Sequence, residues 1–311
     1  MSNNTVSDSS RNTKIKKGII AIVSAVLICV LGEFAAYYLM DLGLDGNWVL
    51  FVFRAVASTI AFILLGGKKW LNFKNNSIGK TLKFCIALLS LNIVLAIMYA
   101  AYSVSQGIVE GAAVRILSTV LLALLIGINE EFIFRGLLYQ GILVVGGKKK
   151  NSLMTAAIIS SILFGFIHVI GSLDFSNIYV TLTALLKTVE TAMFGFILCY
   201  CCTFYKDIIG AIVFHSLFDW VILAAQKLSE TELQLEYTSA DQESGITKII
   251  SFSIMILIYL PATIKAVKRI RAAELTDGIF GDGGDEVTEP VPTKKKEKKN
   301  KKEKDNEDEK N

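Results

Sequence analysis

The sequence is poor in histidine, proline and cysteine, and each shortage excludes something. Only His168 and His215 occur in 311 residues, and the His-Glu-x-x-His helix of many zinc peptidases is absent. Three prolines, Pro261, Pro290 and Pro292, leave almost the whole chain free of helix breakers. The five cysteines, Cys29, Cys85, Cys199, Cys201 and Cys202, lie in apolar stretches without metal-ligand spacing, so they read as small buried hydrophobes. Charged residues make up 19% of the chain, and the lysines flank apolar segments instead of alternating with aromatics. That pattern excludes a nucleic-acid groove. The first apolar run is too long for a removable signal peptide and lacks a small-residue cleavage site.

What is present is hydrophobic: 53% of residues, with a mean hydropathy of +0.52. A spanning helix needs about 20 mostly apolar residues. Eight segments qualify, at 18–40, 48–66, 84–104, 113–137 or beyond, 152–171, 178–203, 207–226 and 248–267. The expected fold class is therefore all-α, a polytopic membrane protein with about eight transmembrane helices. The 113–145 run is too long for one upright helix, so a tilt or a break near Gly127 is expected.

The net charge of +4 sums very unequal regions. Arg11, Lys14, Lys16 and Lys17 precede the first span. Lys68, Lys69, Lys74, Lys80 and Lys83 follow the second, and Lys148, Lys149 and Lys150 follow the fourth. The alternate loops carry Asp41 and Asp45, then Glu110, then Asp174, then Glu230, Glu232, Glu236, Asp241 and Glu243. The positive-inside rule reads this alternation as eight spans with both termini cytoplasmic, in a plasma membrane. Three regions follow: a cytosolic tail at 1–17, a transmembrane core at 18–268 and a charged tail at 269–311. The last is almost wholly Lys, Glu, Asp and Asn from 294 onward, and is expected to be disordered.

Within the core, ionisable groups stand where they are costly, roughly 2.5–3.5 kcal/mol each on insertion scales. One segment carries Asn129-Glu130-Glu131-Phe132-Ile133-Phe134-Arg135, a second Phe164-Gly165-Phe166-Ile167-His168, a third His215-Ser216-Leu217-Phe218-Asp219. Three such clusters read as one shared polar site. Residues four apart share a helix face, so Glu131 and Arg135 are expected to pair. Glu130 points about 100° away and is left as the desolvated carboxylate suited to a general base. His215 and Asp219 are also four apart, so the carboxylate is expected to orient the imidazole. Elsewhere, Glu33 with Arg54 and Lys187 with Glu190 are expected as structural pairs. By counting from segment ends, Glu130 and His215 lie near mid-membrane, whereas His168 lies nearer the outer end of its span.

Taken in order, Glu-Glu-x-x-x-Arg, Phe-x-x-x-His and His-x-x-x-Asp resemble the motifs of the CPBP family of intramembrane proteases. This is the CAAX-protease and bacteriocin-processing group, also called Abi proteins. The resemblance covers about 121–225. It implies an eight-helix membrane endopeptidase in which Glu130 activates water. Glu131 and Arg135 support it, and His168, His215 and Asp219 complete the catalytic set. Eukaryotic CAAX proteases carry asparagine at the last position, where it helps to hold the oxyanion. Asp219 either is protonated here or orients His215 instead.

Two chemistries stay open. Without a metal, Glu130 and His168 activate water while His215 and Asp219 polarise the scissile carbonyl. With a divalent metal such as zinc, His168 and His215 ligate it and Glu130 is the third ligand or the base. The implied partners are a lipid bilayer and a peptide or protein substrate at the membrane. The other function classes are a non-enzymatic bacteriocin-immunity or scaffold protein of the same fold, and a proton-coupled transporter. The retained Glu130, His168 and His215 weigh against the first, and missing inverted repeats against the second.

Overall fold

Long apolar runs without helix breakers can satisfy their backbone in lipid only as helices, and the chain folds accordingly. A computed structural model describes residues 3–71, 76–105, 107–147, 151–228 and 237–273. Among them there are helices and no strands. The helices are α1 (Asn3–Met40), α2 (Gly46–Leu64), α3 (Ser77–Phe84), α4 (Ile86–Ser105), α5 (Ala112–Gly146), α6 (Ser152–Ile167), α7 (Ile178–Tyr205), α8 (Ile209–Gln226) and α9 (Gln242–Ala272). Short 3-10 turns occupy Gly67–Trp70 and Ile170–Ser172. Lys148 to Lys150, Glu230, Glu232, Glu236, Lys74 and nearly all of the charged tail lie outside the described residues.

Seven of these helices, α1, α2, α4, α5, α7, α8 and α9, are long and apolar enough to cross a membrane. The protein is an all-α polytopic membrane protein. The eighth expected span is α6, which ends at Ile167 instead of continuing to 171. At 1.5 Å per residue its 16 residues reach only about 24 Å. Outward-facing apolar side chains such as Val114, Leu117 and Leu257 are well exposed, as the lipid-facing surface of a bundle should be.

The acidic loops have a second job at helix starts. Asp45 accepts hydrogen bonds from the backbone N–H groups of Asn47 (2.9 Å) and Trp48 (3.2 Å), capping α2. Asp241 accepts from Ser244 N (2.9 Å) and caps α9, while Asn177 caps α7. Capping satisfies otherwise orphaned N–H groups, and a carboxylate also suits the positive end of the helix dipole.

At the centre, α5 packs along α8, α7 lies between α6 and α9, and α1 crosses both α2 and the second half of α5. Two glycines set the closest approaches. A Cβ on Gly127 would stand 2.2 Å from Ser216 Oγ, and one on Gly165 would stand 2.3 Å from the Thr188 carbonyl. The first lets α5 meet α8, the second lets α6 meet α7. The expected break near Gly127 does not occur. That glycine serves close packing inside a continuous helix, and the irregularity lies further on, where Glu131–Tyr139 winds as a π-helix. All nine residues of the π-helical stretch are buried. There Ser160 Oγ of α6 donates to the Phe134 carbonyl at 2.8 Å.

Candidate active site

The π-helical stretch begins at the double glutamate, and the fold treats the two acids differently. Glu131 is fully buried. Its Oε1 lies 3.0 Å from Arg135 Nη1, so the expected pair forms. The guanidinium, 1% exposed, also sits over the Phe164 ring at 4.1 Å, a cation–π contact that helps to hold a charge away from water.

Glu131 has a further partner that residue spacing did not predict. His215 Nδ1 donates to Glu131 Oε1 at 2.8 Å, across helices α8 and α5. The expected His215–Asp219 contact is present but longer, 3.5 Å from Nε2 to Oδ2. The orientation of the ring is therefore set chiefly by Glu131, with Asp219 a neighbour of the opposite nitrogen. Phe194 and Phe164 stand edge-on to the ring, with centroids 5.1 and 5.9 Å away.

Glu131 meets both partners through Oε1, its Oε2 being buried without one, and Glu130 lacks partners this close. Its Oε2 lies 3.6 Å from His215 Nε2 and 4.0 Å from His168 Nε2, and no hydrogen-bond partner reaches it. His168 follows α6 directly. Its Nδ1 donates to the Phe164 carbonyl one turn back, at 2.7 Å. Because a carbonyl only accepts, that bond places the proton on Nδ1 and turns the Nε2 lone pair of the neutral ring toward Glu130. Two acceptors thus converge on a gap too wide for a direct hydrogen bond. A water donating one O–H to each would fit that pattern. The early end of α6 also removes the mismatch in depth, since His168 turns in from the helix terminus to meet Glu130.

All of this borders a cavity of about 800 Å³, walled by Glu130, His168, His215 and Asp219 together with α1, α2, α4, α7 and α9. Among the cavity-lining residues that sequence reasoning did not place at the site are Arg54, Asn92 and Tyr237. Asn92 donates through Nδ2 to the Phe218 carbonyl and holds α4 to α8. The Tyr237 ring lies 6.0 Å from that of His168 and under Lys187 Nζ at 4.7 Å. Both expected structural pairs form, Glu33–Arg54 at 2.8 Å and Lys187–Glu190 at 2.9 Å. Both nonetheless line the cavity.

As metal ligands the three candidate side chains fit poorly. Among the described residues no three His, Cys, Asp or Glu side chains are gathered to hold an ion, and the Nδ1 bonds of both rings leave only Nε2 of each to ligate one. The chemistry derived below therefore uses the chain's own groups.

Residues 112–221, about a third of the chain, match the model of a family described as Rce1-like, the type II CAAX prenyl endopeptidases. Comparison with curated proteins and with solved structures returned no match. The match opens nine residues before the 121–225 segment read from the motifs and spans all six motif residues. Over this segment the chain is similar to the CAAX-protease group of intramembrane peptidases.

Proposed function

We propose that the chain belongs to the CAAX-protease group and hydrolyses peptide bonds of membrane-associated or lipidated peptide and protein substrates, with Glu130 as the base. The observation that carries this reading is the convergence of His168 Nε2 and His215 Nε2 on Glu130 Oε2 at a cavity wall. A water held between Glu130 and His168 loses a proton to Glu130 as its oxygen attacks the scissile carbonyl carbon. His215, held by Glu131, donates through Nε2 to the carbonyl oxygen as negative charge develops there. Glu130 then passes its proton to the amide nitrogen, the C–N bond breaks, and a carboxylic acid and an amine leave. Asp219 sits beside Nε2 of His215 and supports its cationic form. Glu131 and Arg135 act through His215 as positioning residues.

The transmembrane core at 18–268 carries this activity. The basic loops face the cytoplasm, so both termini are cytoplasmic in a plasma membrane, with 1–17 and 269–311 as cytosolic tails.

The test is cleavage of a broad peptide library, prenylated peptides included, by detergent-purified protein beside its Glu130→Gln variant. Cleavage lost only in the variant supports the reading. Equal cleavage by both overturns the assignment of the base. A library untouched by either shifts weight to an immunity or scaffold role.

A further inference from the structure

We infer that the basic end of the bundle, where α3 and α9 flank the end of α7, binds the phosphate headgroup of an anionic phospholipid. Three cations from two helices converge there on one aromatic cluster. Tyr200 is its fully buried centre, with ring centroids of Phe84 at 4.6 Å, Phe204 at 4.7 Å and Tyr205 at 6.1 Å. Lys265 Nζ of α9 stands over the Phe84 ring at 5.1 Å, and Lys80 Nζ of α3 over the Tyr205 ring at 5.9 Å. Arg269 of α9 lies 5.9 Å from the Tyr200 centroid and donates through Nη1 to its hydroxyl at 2.6 Å.

A ring face holds an ammonium in place without neutralising it. Among the described residues neither Lys80 nor Lys265 is in an ion pair with a carboxylate. Asp207, two residues beyond Tyr205, is 1% exposed. It accepts from Ser77 Oγ at 2.5 Å and from the Ile209 N–H at 2.9 Å, and so serves to hold α3 to the start of α8. Lys187 makes the contrast. It too lies over two rings, Tyr237 and Phe252, but a buried carboxylate, Glu190, matches its charge at 2.9 Å. The cations of the aromatic cluster are positioned as firmly and keep their charge for something outside. Lysines that only snorkelled to water would have no need of a shared platform.

The surroundings favour a lipid over a soluble anion. On α9, Tyr259, Ala266 and Ile270 are buried, and Leu257, Ile264 and Lys268 share the opposite face by helical spacing. Leu257 is 65% exposed and Ile264 44%. That face is apolar as far as Ile264 and cationic from Lys268 onward. Acyl chains lying along Leu257 and Ile264 would bring a phosphate to the level of Lys265, Lys268 and Arg269, with Lys80 closing the site from α3. Basic pockets between helices at a membrane surface suit such headgroups, and aromatic rings are at home at the same depth. A free phosphate would use the charge and none of the apolar track.

The test is equilibrium binding of dansyl-labelled phosphatidylglycerol and phosphatidylcholine to the full chain in detergent at low salt. Phosphatidylglycerol is expected to bind about tenfold tighter, well within what three interfacial cations can supply. Lys80→Gln and Lys265→Gln should each cut that preference about two- to fivefold, and the double variant should bring it close to one. Both side chains are exposed, so folding is not at stake. Lys16→Gln removes an equally exposed lysine from α1, away from the cluster, and should leave the preference unchanged. Equal binding of the two lipids would overturn the site. So would a loss in Lys16→Gln as large as that in Lys265→Gln, which would assign the attraction to basic surface in general. Displacement of the label by millimolar inorganic phosphate would overturn the lipid as occupant. None of these outcomes depends on whether Glu130 is a catalytic base.

Discussion

Glu130 and Glu131 are neighbours in sequence, chemically identical, and opposite in circumstance. Glu131 has no solvent access and is held by Arg135 and His215 at 3.0 and 2.8 Å. Glu130 keeps 18% of its side chain exposed, and its Oε2 lies 3.6 and 4.0 Å from the two imidazoles with no hydrogen-bond partner. The difference teaches how a fold divides labour between two acids. A carboxylate gripped at one oxygen by two close partners is fixed in charge and place and can only hold other groups. One that faces a cavity with its nearest groups just out of bonding range can exchange a proton with something that enters.

The sharpest way to break this contrast is to neutralise each acid in turn. Glu130→Gln keeps the volume and removes the base, so kcat should fall about 10²- to 10⁴-fold, the range for general-base catalysis. Thermal unfolding in detergent should be nearly unmoved, because no tight contact is lost. Glu131→Gln should do the reverse in stability, since breaking a buried ion pair costs about 3–5 kcal/mol. Arg135 would be left without its counter-charge and His215 with a weaker acceptor. Unfolding temperature is the discriminating measurement. Equal stability of the two variants would remove the distinction drawn between the acids.

A smaller effect is expected at Asp219. Its carboxylate lies 3.5 Å from His215 Nε2, whereas the ring is oriented through Nδ1 by Glu131. Asp219→Asn should therefore preserve ring orientation and lower kcat/KM by no more than about tenfold, the worth of one polar contact. A loss as large as that of Glu130→Gln would make Asp219, and not Glu131, the group that governs His215.

Much of this was legible from residue spacing, for a definable reason. Glu131–Arg135 and Lys187–Glu190 lie on single helices, and helical periodicity alone brings such residues together. Glu33–Arg54 needed only two adjacent antiparallel helices and similar depth. The contact between Glu131 and His215 spans 84 residues. It depends on the rotational setting of α5 against α8, which Gly127 permits and no local rule specifies. His215–Asp219 looked like the dominant pairing because it was the local one. The π-helical stretch was equally hidden, since no residue pattern over Glu131–Tyr139 distinguishes it from an ordinary helix. The acidic loops show a subtler limit. Asp45 and Asp241 were read as markers of orientation, yet each has a complete local explanation as a helix cap.

The smallest expected effect, none at all, bears on the chemistry that the motifs left open. If His168 and His215 ligated a divalent ion, both would present a lone pair to one point together with a carboxylate oxygen. His168 does present Nε2 toward Glu130, its proton being held on Nδ1 by the Phe164 carbonyl. His215 Nε2, however, faces two carboxylates, Glu130 at 3.6 Å and Asp219 at 3.5 Å. Ionised carboxylates accept and do not donate, so the metal-free reading puts a proton on Nε2, 3.6 and 3.5 Å from the two acids. A ring protonated at both nitrogens has no lone pair left for a metal. Prolonged treatment with a strong chelator should then leave cleavage unchanged, and added zinc should not raise it, since an ion can bind only to deprotonated ligands. Abolition by chelator with recovery on zinc would instead require His215 to give up its Nε2 proton, and would move Glu130 from base to ligand.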